Sequence, residues 1–363
     1  MNQSKKELFA ERKIVIFGGT GSLGKHLIKR ILTGECGAPK LITVASRDEA
    51  KQYEMRLQFE QLNEATEELI YKDWKRVLQF QIADVRDPRA VRQAVADADF
   101  VFNTAALKQV PSCEYFPYEA VLTNICGTEN IINAILESKH EVKAFCSIST
   151  DKACKPVNAM GMTKALQEKL VARANIYSDH TSFFCVRYGN VLASRGSVVP
   201  LFLEQISRGE ALTITTRSMT RFLLSLDQAV DTIFEGVSLA GRGHTYVPVI
   251  PSAKIDDLAD VMIGRRTIEK QYIGIRPGEK EHEILISEEE SRRTVKFGDY
   301  YAVLPLLPEL QASECISAFP DGGEYSSCQN LLAKEEIYQL LQANDLLPPP
   351  SFVEKRRKRV PLI

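Results

Sequence analysis

The run Gly18-Gly19-Thr20-Gly21-Ser22-Leu23-Gly24 spaces three of its glycines three residues apart, at Gly18, Gly21 and Gly24. Glycine tolerates the backbone angles of a tight turn and lets a pyrophosphate approach the main chain. A helix opening at such a turn presents free N–H groups and a partial positive charge to phosphate. The apolar residues 14–17 lie directly before the run and the helical stretch 26–32 follows it. In that setting Gly18, Thr20, Gly21, Ser22, Leu23 and Gly24 are expected to hold a dinucleotide. Further along, Asp151 and Lys152 stand together after an apolar run, and Lys164 sits in a helical stretch. An acid and an amine side by side are the groups that proton transfer requires.

Two further segments bear on the dinucleotide. Ser46-Arg47-Asp48-Glu49 follows the second apolar run. Arg47 suits a 2′-phosphate, because guanidinium and phosphate make charge-assisted hydrogen bonds, and this favours NADP. Asp48 is the feature that keeps NAD as the less favoured choice, since a carboxylate there would accept from a ribose hydroxyl. After the third run, Asp84 and Val85 fall where the adenine edge would lie. The alternative for Asp84 is to cap the helix that starts at Pro88.

These groups need a scaffold. Apolar runs at 14–17, 41–45, 77–82, 100–103, 144–148 and 183–187 read as buried strands. Stretches between them, 120–136 and 159–173 among them, read as helices. Such alternation implies right-handed parallel crossovers and an α/β, Rossmann-like, doubly wound sheet. Ligands of such sheets bind at the carboxyl ends of the strands. Beyond residue 190 the pattern loosens, with a helix expected over 200–208, a strand over 211–216 and a helix over 227–238. The expected organisation is a dinucleotide-binding domain over 1–190 and a smaller substrate domain over 191–330, parts of which return to the first. A C-terminal helix and basic tail over 331–363 complete it.

Composition removes several classes. A net charge of −1 gives no global field for nucleic acid or an anionic membrane. No run of about 18 apolar residues is present to cross a bilayer. The first twelve residues lack the apolar centre of a signal peptide, so the cytoplasm is the expected compartment. The eight cysteines form no CxxC pair and the five histidines have no ligand spacing, so reduced thiols and no metal are expected. The cluster Glu354-Lys355-Arg356-Arg357-Lys358-Arg359 reads as a solvated tail, or else as an address or anion-binding patch.

The glycine turn, Asn103-Thr104-Ala105-Ala106, Ser147 to Asp151 and Lys164 together resemble the extended short-chain dehydrogenase/reductases. More specific are Ala105-Ala106-Leu107-Lys108-Gln109-Val110-Pro111, Ser149-Thr150-Asp151-Lys152-Ala153 and Arg187-Tyr188-Gly189-Asn190-Val191. With Ser194-Arg195-Gly196-Ser197-Val198, Met219-Thr220-Arg221-Phe222 and Arg276-Pro277-Gly278-Glu279-Lys280, they look like the polysaccharide-biosynthesis branch. Within it the chain is similar to the UDP-N-acetylglucosamine 4,6-dehydratases that invert carbon 5. The run Tyr325-Ser326-Ser327 is similar to their C-terminal flap.

The resemblance implies a nucleotide-sugar lyase that uses NADP transiently and forms homo-oligomers. It implies that Asp151 protonates the departing carbon 6 hydroxyl and Lys152 removes the carbon 5 proton. Thr150 would hydrogen-bond the carbon 4 oxygen, Lys164 would hold the nicotinamide ribose, and Ala105 and Lys108 would line the cofactor. Lys108, Ser149, Thr150, Asn190, Arg195, Arg221, Arg276 and Glu279 would hold the UDP-sugar. One departure stands out. Short-chain enzymes normally place Tyr four residues before the Lys, and here that position is Met160, whose thioether is no base. One branch of the resembled family carries Met there too, and the acceptor of the carbon 4 proton is left unassigned. The alternatives are a UDP-sugar 4-epimerase, a dehydratase of another UDP-hexose, and a non-catalytic NADP-binding protein.

Overall fold

The computed structural model describes residues 6–65, 74–192, 197–311 and 323–349. Six runs of apolar residues form parallel strands: β1 (Lys13–Phe17), β2 (Leu41–Ser46), β3 (Leu78–Ile82), β4 (Phe100–Asn103), β5 (Ala144–Thr150) and β6 (Ser182–Tyr188). All four residues of β4 and all seven of β6 are buried. That is why these strands read as continuous apolar runs rather than alternating ones. The expected doubly wound α/β sheet is what the chain forms.

Three later strands join this sheet, namely β9 (Thr245–Pro248), β13 (Thr294–Phe297) and β14 (Tyr300–Val303). The full order is β13-β14-β9-β6-β5-β4-β1-β2-β3. β9 pairs parallel with β6, while β14 and β13 close that edge antiparallel. The chain runs outward from β1 through β2 to β3, then restarts at β4 on the other side of β1. This reversal makes the carboxyl ends of β1 and β4 the place where an open α/β sheet binds ligands.

The helices bury one face each. The helix Ser22–Leu32 directs Leu27, Ile28 and Ile31 inward. The segment expected as one helix over 120–136 is three pieces: Pro117–Ala120, a π-helical turn Val121–Cys126, and Gly127–Leu136. Turns of the π kind often mark functional positions in a helix.

The chain divides into two compact units. Among the described residues, one unit is drawn from 6–189, 226–249 and 284–325, and the other from 190–225, 250–283 and 326–349. The second unit has its own apolar centre, including Phe202, Leu212, Leu223, Leu258, Met262 and Leu341. Its strands are the short pairs β7 (Leu212–Ile214) with β11 (Lys270–Tyr272) and β8 (Thr220–Phe222) with β10 (Ser252–Lys254). The basic tail and Pro350 lie outside the described residues. Among the described residues no helix is long and apolar enough to cross a membrane.

In the first unit Phe145 on β5 is fully buried and meets Phe183 on β6 edge to face, with ring centroids 5.9 Å apart. Phe145→Ala should cost about 3–5 kcal/mol, the combined loss of burial and creation of a cavity. The shift of the urea midpoint checks this, with the slope of the transition unchanged.

Candidate active site

The glycine turn links two strand ends. Gly18 has φ +74°, a left-handed conformation, and a side chain on it would run into the backbone of Ala105 after β4, 2.6 Å from its nitrogen. Gly24 sits against Gly19 in the same way, with backbone 2.6 Å from any added Cβ. Gly21 differs. A Cβ there would meet the Gly18 carbonyl oxygen at 3.3 Å and nothing else within 4 Å. Gly21 opens the helix Ser22–Leu32 without a side-chain cap, and no acidic residue occupies the first turn. Neither a cap nor a first-turn acid therefore offsets the positive end of that helix, and the face beside it suits a pyrophosphate. Thr20 is buried, and Ser22 and Leu23 are half-buried.

At the ends of β2 and β3 the charges are arranged less symmetrically. Ser46 is buried under Gln52, whose amide donates to the Ser46 hydroxyl at 3.1 Å and to the Gln81 carbonyl at 2.9 Å. Arg47 is exposed. The Asp48 carboxylate accepts from the Lys51 backbone N–H at 3.0 Å and pairs with the Lys51 ammonium at 2.6 Å. The Lys51 side chain and then its backbone hydrogen bond hold the Asp48 carboxyl below its usual range. Asp48 thus serves its own helix. Burial pushes the Asp84 carboxyl up, but hydrogen bonds from Arg86 outweigh this and keep it low. The cap of the helix Pro88–Val95 is Asp87, accepting from Arg89 at 2.9 Å, so the alternative reading of Asp84 as that cap is corrected. Val85 is buried, and its carbonyl accepts from Asn130 at 2.9 Å.

The acid–amine pair lies at the carboxyl end of β5. Thr150 closes the strand, and Asp151–Ala153 form a short 3₁₀ turn. The Thr150 hydroxyl donates to Asp151 Oδ1 at 2.8 Å, and Lys152 Nζ donates to the same oxygen at 3.1 Å. The Asp151 side chain is 1% exposed and that of Lys152 22%, so the carboxyl is sealed while the amine reaches outward. The helix Ala159–Ala174 starts at Asn158, which caps it by accepting from Gly161 at 2.8 Å. Gly161 is required by packing, because any side chain there would collide with the Lys152 carbonyl.

One turn later Lys164 is buried, donating to the Ile148 carbonyl at 2.5 Å and to Gln167 at 2.6 Å. Met160 is buried against Cys113 and Ala120, beside Leu107 and Val110. The position of the customary tyrosine is therefore part of a small apolar cluster. Ser149, expected at the sugar, is 3% exposed and donates its hydroxyl to Glu168 instead. Lys108 is exposed on the loop after β4. Sequence reasoning missed what sets that loop. Asn124, 1% exposed in the π-helical turn, accepts from the Leu107 N–H at 2.8 Å and donates to the Leu107 carbonyl at 3.0 Å. An asparagine inside a predominantly apolar helical stretch was the available signal.

In the second unit, Arg221 is buried and its donors are already committed. It donates to the carbonyls of Thr220 at 2.7 Å, Glu281 at 3.0 Å and Lys280 at 3.0 Å, and to Glu279 at 3.4 Å. These bonds tie Arg221 to the loop that carries Glu279, Lys280 and Glu281. Arg276 is exposed, Asn190 is half-buried, and Arg195 lies outside the described residues. The second oxygen of Glu279 is buried and takes no hydrogen bond from a described residue.

Burial lowers the Lys164 ammonium to about 8. The folded chain then holds fewer protons than the unfolded chain above that pH, so this residue makes stability rise as pH increases from about 8 towards the ordinary lysine value. Going from pH 8 to pH 10, the urea midpoint of the wild type should change more favourably than that of Lys164→Met, because the buried cysteines, whose raised thiols act in the opposite sense, contribute equally to both.

Residues 14–305 match the family described as polysaccharide biosynthesis protein. A protein named UDP-glucose 4-epimerase from Rickettsia rickettsii (strain Sheila Smith) is 42% identical over 301 residues, covering 82% of this chain and 84% of that one. The structure of Pen from Bacillus thuringiensis aligns with a TM-score of 0.82 at 35% identity, over 93% of this chain and 99% of that chain. DesIV from Streptomyces venezuelae, a dTDP-glucose 4,6-dehydratase solved with NAD and TYD bound, aligns at 0.62 with 17% identity over 74% of this chain and 86% of its own, a likeness of fold alone. Matched over most of its length, the chain belongs to the polysaccharide biosynthesis protein family and is an enzyme of the extended short-chain dehydrogenase/reductase type, among the nucleotide-sugar epimerases and dehydratases.

Proposed function

We propose that the chain dehydrates UDP-N-acetylglucosamine to a UDP-4-keto-6-deoxy-hexosamine with inversion at carbon 5, using NADP. The observation that carries this reading is the convergence of Thr150 and Lys152 on one oxygen of the buried Asp151 carboxylate. A 4-epimerase needs hydride chemistry and one proton acceptor at carbon 4 alone. A dehydratase needs an acid and a base besides, and this turn supplies both.

The dinucleotide fits the residues present. Gly21 leaves its outward face clear, Gly18 permits contact of the β1 and β4 turns, and the first helix offers its uncapped N-terminus. Asp48 is taken up by Lys51, which leaves Arg47 as the group suited to a 2′-phosphate. Gly18, Thr20, Gly21, Ser22, Leu23, Gly24, Ser46, Arg47, Asp84, Val85, Ala105, Lys108 and Lys164 form this subsite in our reading. Bound there, NADP would supply the hydride acceptor for carbon 4 and the donor for carbon 6, with no net consumption.

The chain's own groups handle the protons at carbons 5 and 6, while the acceptor of the carbon 4 hydroxyl proton is unassigned. The Thr150 hydroxyl orients the carbon 4 oxygen. Once carbon 4 is a ketone the carbon 5 proton is acidic, and Lys152 Nζ, having passed its own proton to Asp151 within their hydrogen bond, removes it. Asp151 delivers a proton to the carbon 6 hydroxyl, which departs as water. A solvent proton then enters carbon 5 on the face opposite Lys152, and inversion results. Met160 contributes shape only. Within the second unit, Asn190, Arg195 and Arg276 address the UDP moiety, and the unpartnered oxygen of Glu279 suits a ribose hydroxyl. The name of the Rickettsia relatives favours a second reading, UDP-sugar 4-epimerase. Met160 favours a third, a non-catalytic NADP-binding protein.

Arg47→Ala should weaken NADP binding about tenfold to a hundredfold, the loss of a charge-assisted contact, and leave NAD binding unchanged. Equal titration curves for NADP and NAD in the wild type would contradict the 2′-phosphate assignment.

The reaction itself is tested by isotope transfer. In heavy water, the product should be lighter by one water and carry one solvent deuterium at carbon 5. Deuterium placed at carbon 4 should reappear at carbon 6. Return of that label to carbon 4 without water loss would establish the epimerase, and no turnover would favour the binding protein.

A further inference from the structure

The side chains flanking the reactive turn are tied to one buried charge. Ser149, immediately before the turn, donates its hydroxyl to Glu168 Oε1 at 2.5 Å. Cys154, immediately after it, donates its thiol to Glu290 Oε2 at 3.5 Å. Arg187 joins the two carboxylates. Its Nε and Nη2 donate to Glu168 at 2.9 and 2.5 Å, and its Nη1 and Nη2 donate to Glu290 at 2.7 and 2.9 Å. A further bond from Nη1 reaches the Leu285 carbonyl at 2.8 Å. Arg187 is the register partner of Ser149 across β5 and β6. The sequence Ser149, Glu168, Arg187, Glu290, Cys154 therefore bridges the turn 150–153 from one end to the other, through groups contributed by five separate segments.

This arrangement is more than a neutralised core charge. A buried ion pair is by itself weak evidence for stability, since apolar side chains often serve as well. Apolar side chains would not grip a hydroxyl and a thiol at the two ends of a turn. The turn also needs holding. Lys155, the residue after Cys154, has φ +45°, a left-handed conformation that a non-glycine residue adopts only when its surroundings hold it there. Cys154 anchors one side of it, and an ion pair of Lys155 with Glu324 anchors the other.

We propose that Arg187, Glu168 and Glu290 are positioning residues: through Ser149 and Cys154 they fasten both ends of the turn that carries Thr150, Asp151 and Lys152. The catalytic part of this inference rests on the role of that turn proposed above. A reactive group displaced by about an ångström loses on the order of a hundredfold in rate, so the fastening acts on turnover rather than on binding.

The test removes the two ties and leaves the ion pairs intact. Ser149→Ala and Cys154→Ala are compared, in the NADP-loaded protein, with Ser149→Thr and Cys154→Ser, which keep a donor and guard against a simple folding failure. Amide hydrogen exchange is read at residues 151–155, and kcat and KM are read on UDP-N-acetylglucosamine. Each alanine variant should speed exchange in the turn about tenfold, the equivalent of one lost hydrogen bond, without changing β6 or the helix Ala159–Ala174. It should lower kcat about tenfold or more with KM nearly constant, and the conservative variants should recover. Unchanged exchange, exchange raised throughout the unit, or unchanged kcat with a loosened turn would each overturn the inference. If the wild type turns over the sugar without releasing water while the variants still loosen the turn and slow that turnover, the dehydratase reading fails and the fastening stands.

Discussion

A full positive charge sealed from water constrains everything packed around it. Arg187 is 2% exposed, and the desolvation of such an ion costs several kcal/mol unless neighbours replace the lost water. Two carboxylates do so, and Arg293 at 3.6 Å from Glu290 brings the local sum back towards zero. Burial alone would push the Glu290 carboxyl up, yet the nearby guanidinium outweighs it and holds it at about 2. Four segments must then arrive in register: β5, β6, the helix Ala159–Ala174 and the returning stretch that carries Leu285 and Glu290. The last turn of β5 and the start of the helix inherit their positions from that requirement. So does the close passage of Gly161 by the Lys152 carbonyl.

Much of the fold was legible because parallel strands covered on both faces announce themselves as apolar runs. The glycine turn was legible for a related reason, since its backbone must sit close to Ala105 and to Gly19 and only glycine fits. The later strands were harder. β9 meets β6 over two residue pairs, and β9, β14 and β13 pair over four each on an edge that closes antiparallel, where the apolar pattern is short and broken. Which stretches return to the first unit depends on pairing between residues far apart in the chain, and no local pattern encodes that. The π-helical turn left one sign in the sequence, Asn124 within a predominantly apolar helical stretch.

The site was legible by residue type more than by role. Asp151 and Lys152 stand where an acid and an amine were expected, but Ser149 turns inward and Arg221 spends its donors on carbonyls. Both arrangements share a physical origin. A sequence shows that a hydroxyl or a guanidinium is present and does not show whether the fold has already satisfied it. Met160 illustrates the converse. Its lack of a proton-accepting group is plain from the sequence, while its place in an apolar cluster with Cys113 and Ala120 explains why a thioether is accommodated there.

The sheet order carries a consequence for how the protein is made. The six parallel strands are complete once Tyr188 has emerged, yet the partner on the outer side of β6 is β9, which begins only at Thr245. Until then β6, with all seven of its residues destined for burial, is a bare edge of unpaired backbone groups and apolar side chains. Such an edge is a template for pairing with another chain. The nascent protein therefore passes through a stage at which self-association competes with folding, and a chain interrupted between Tyr188 and Thr245 would remain at that stage.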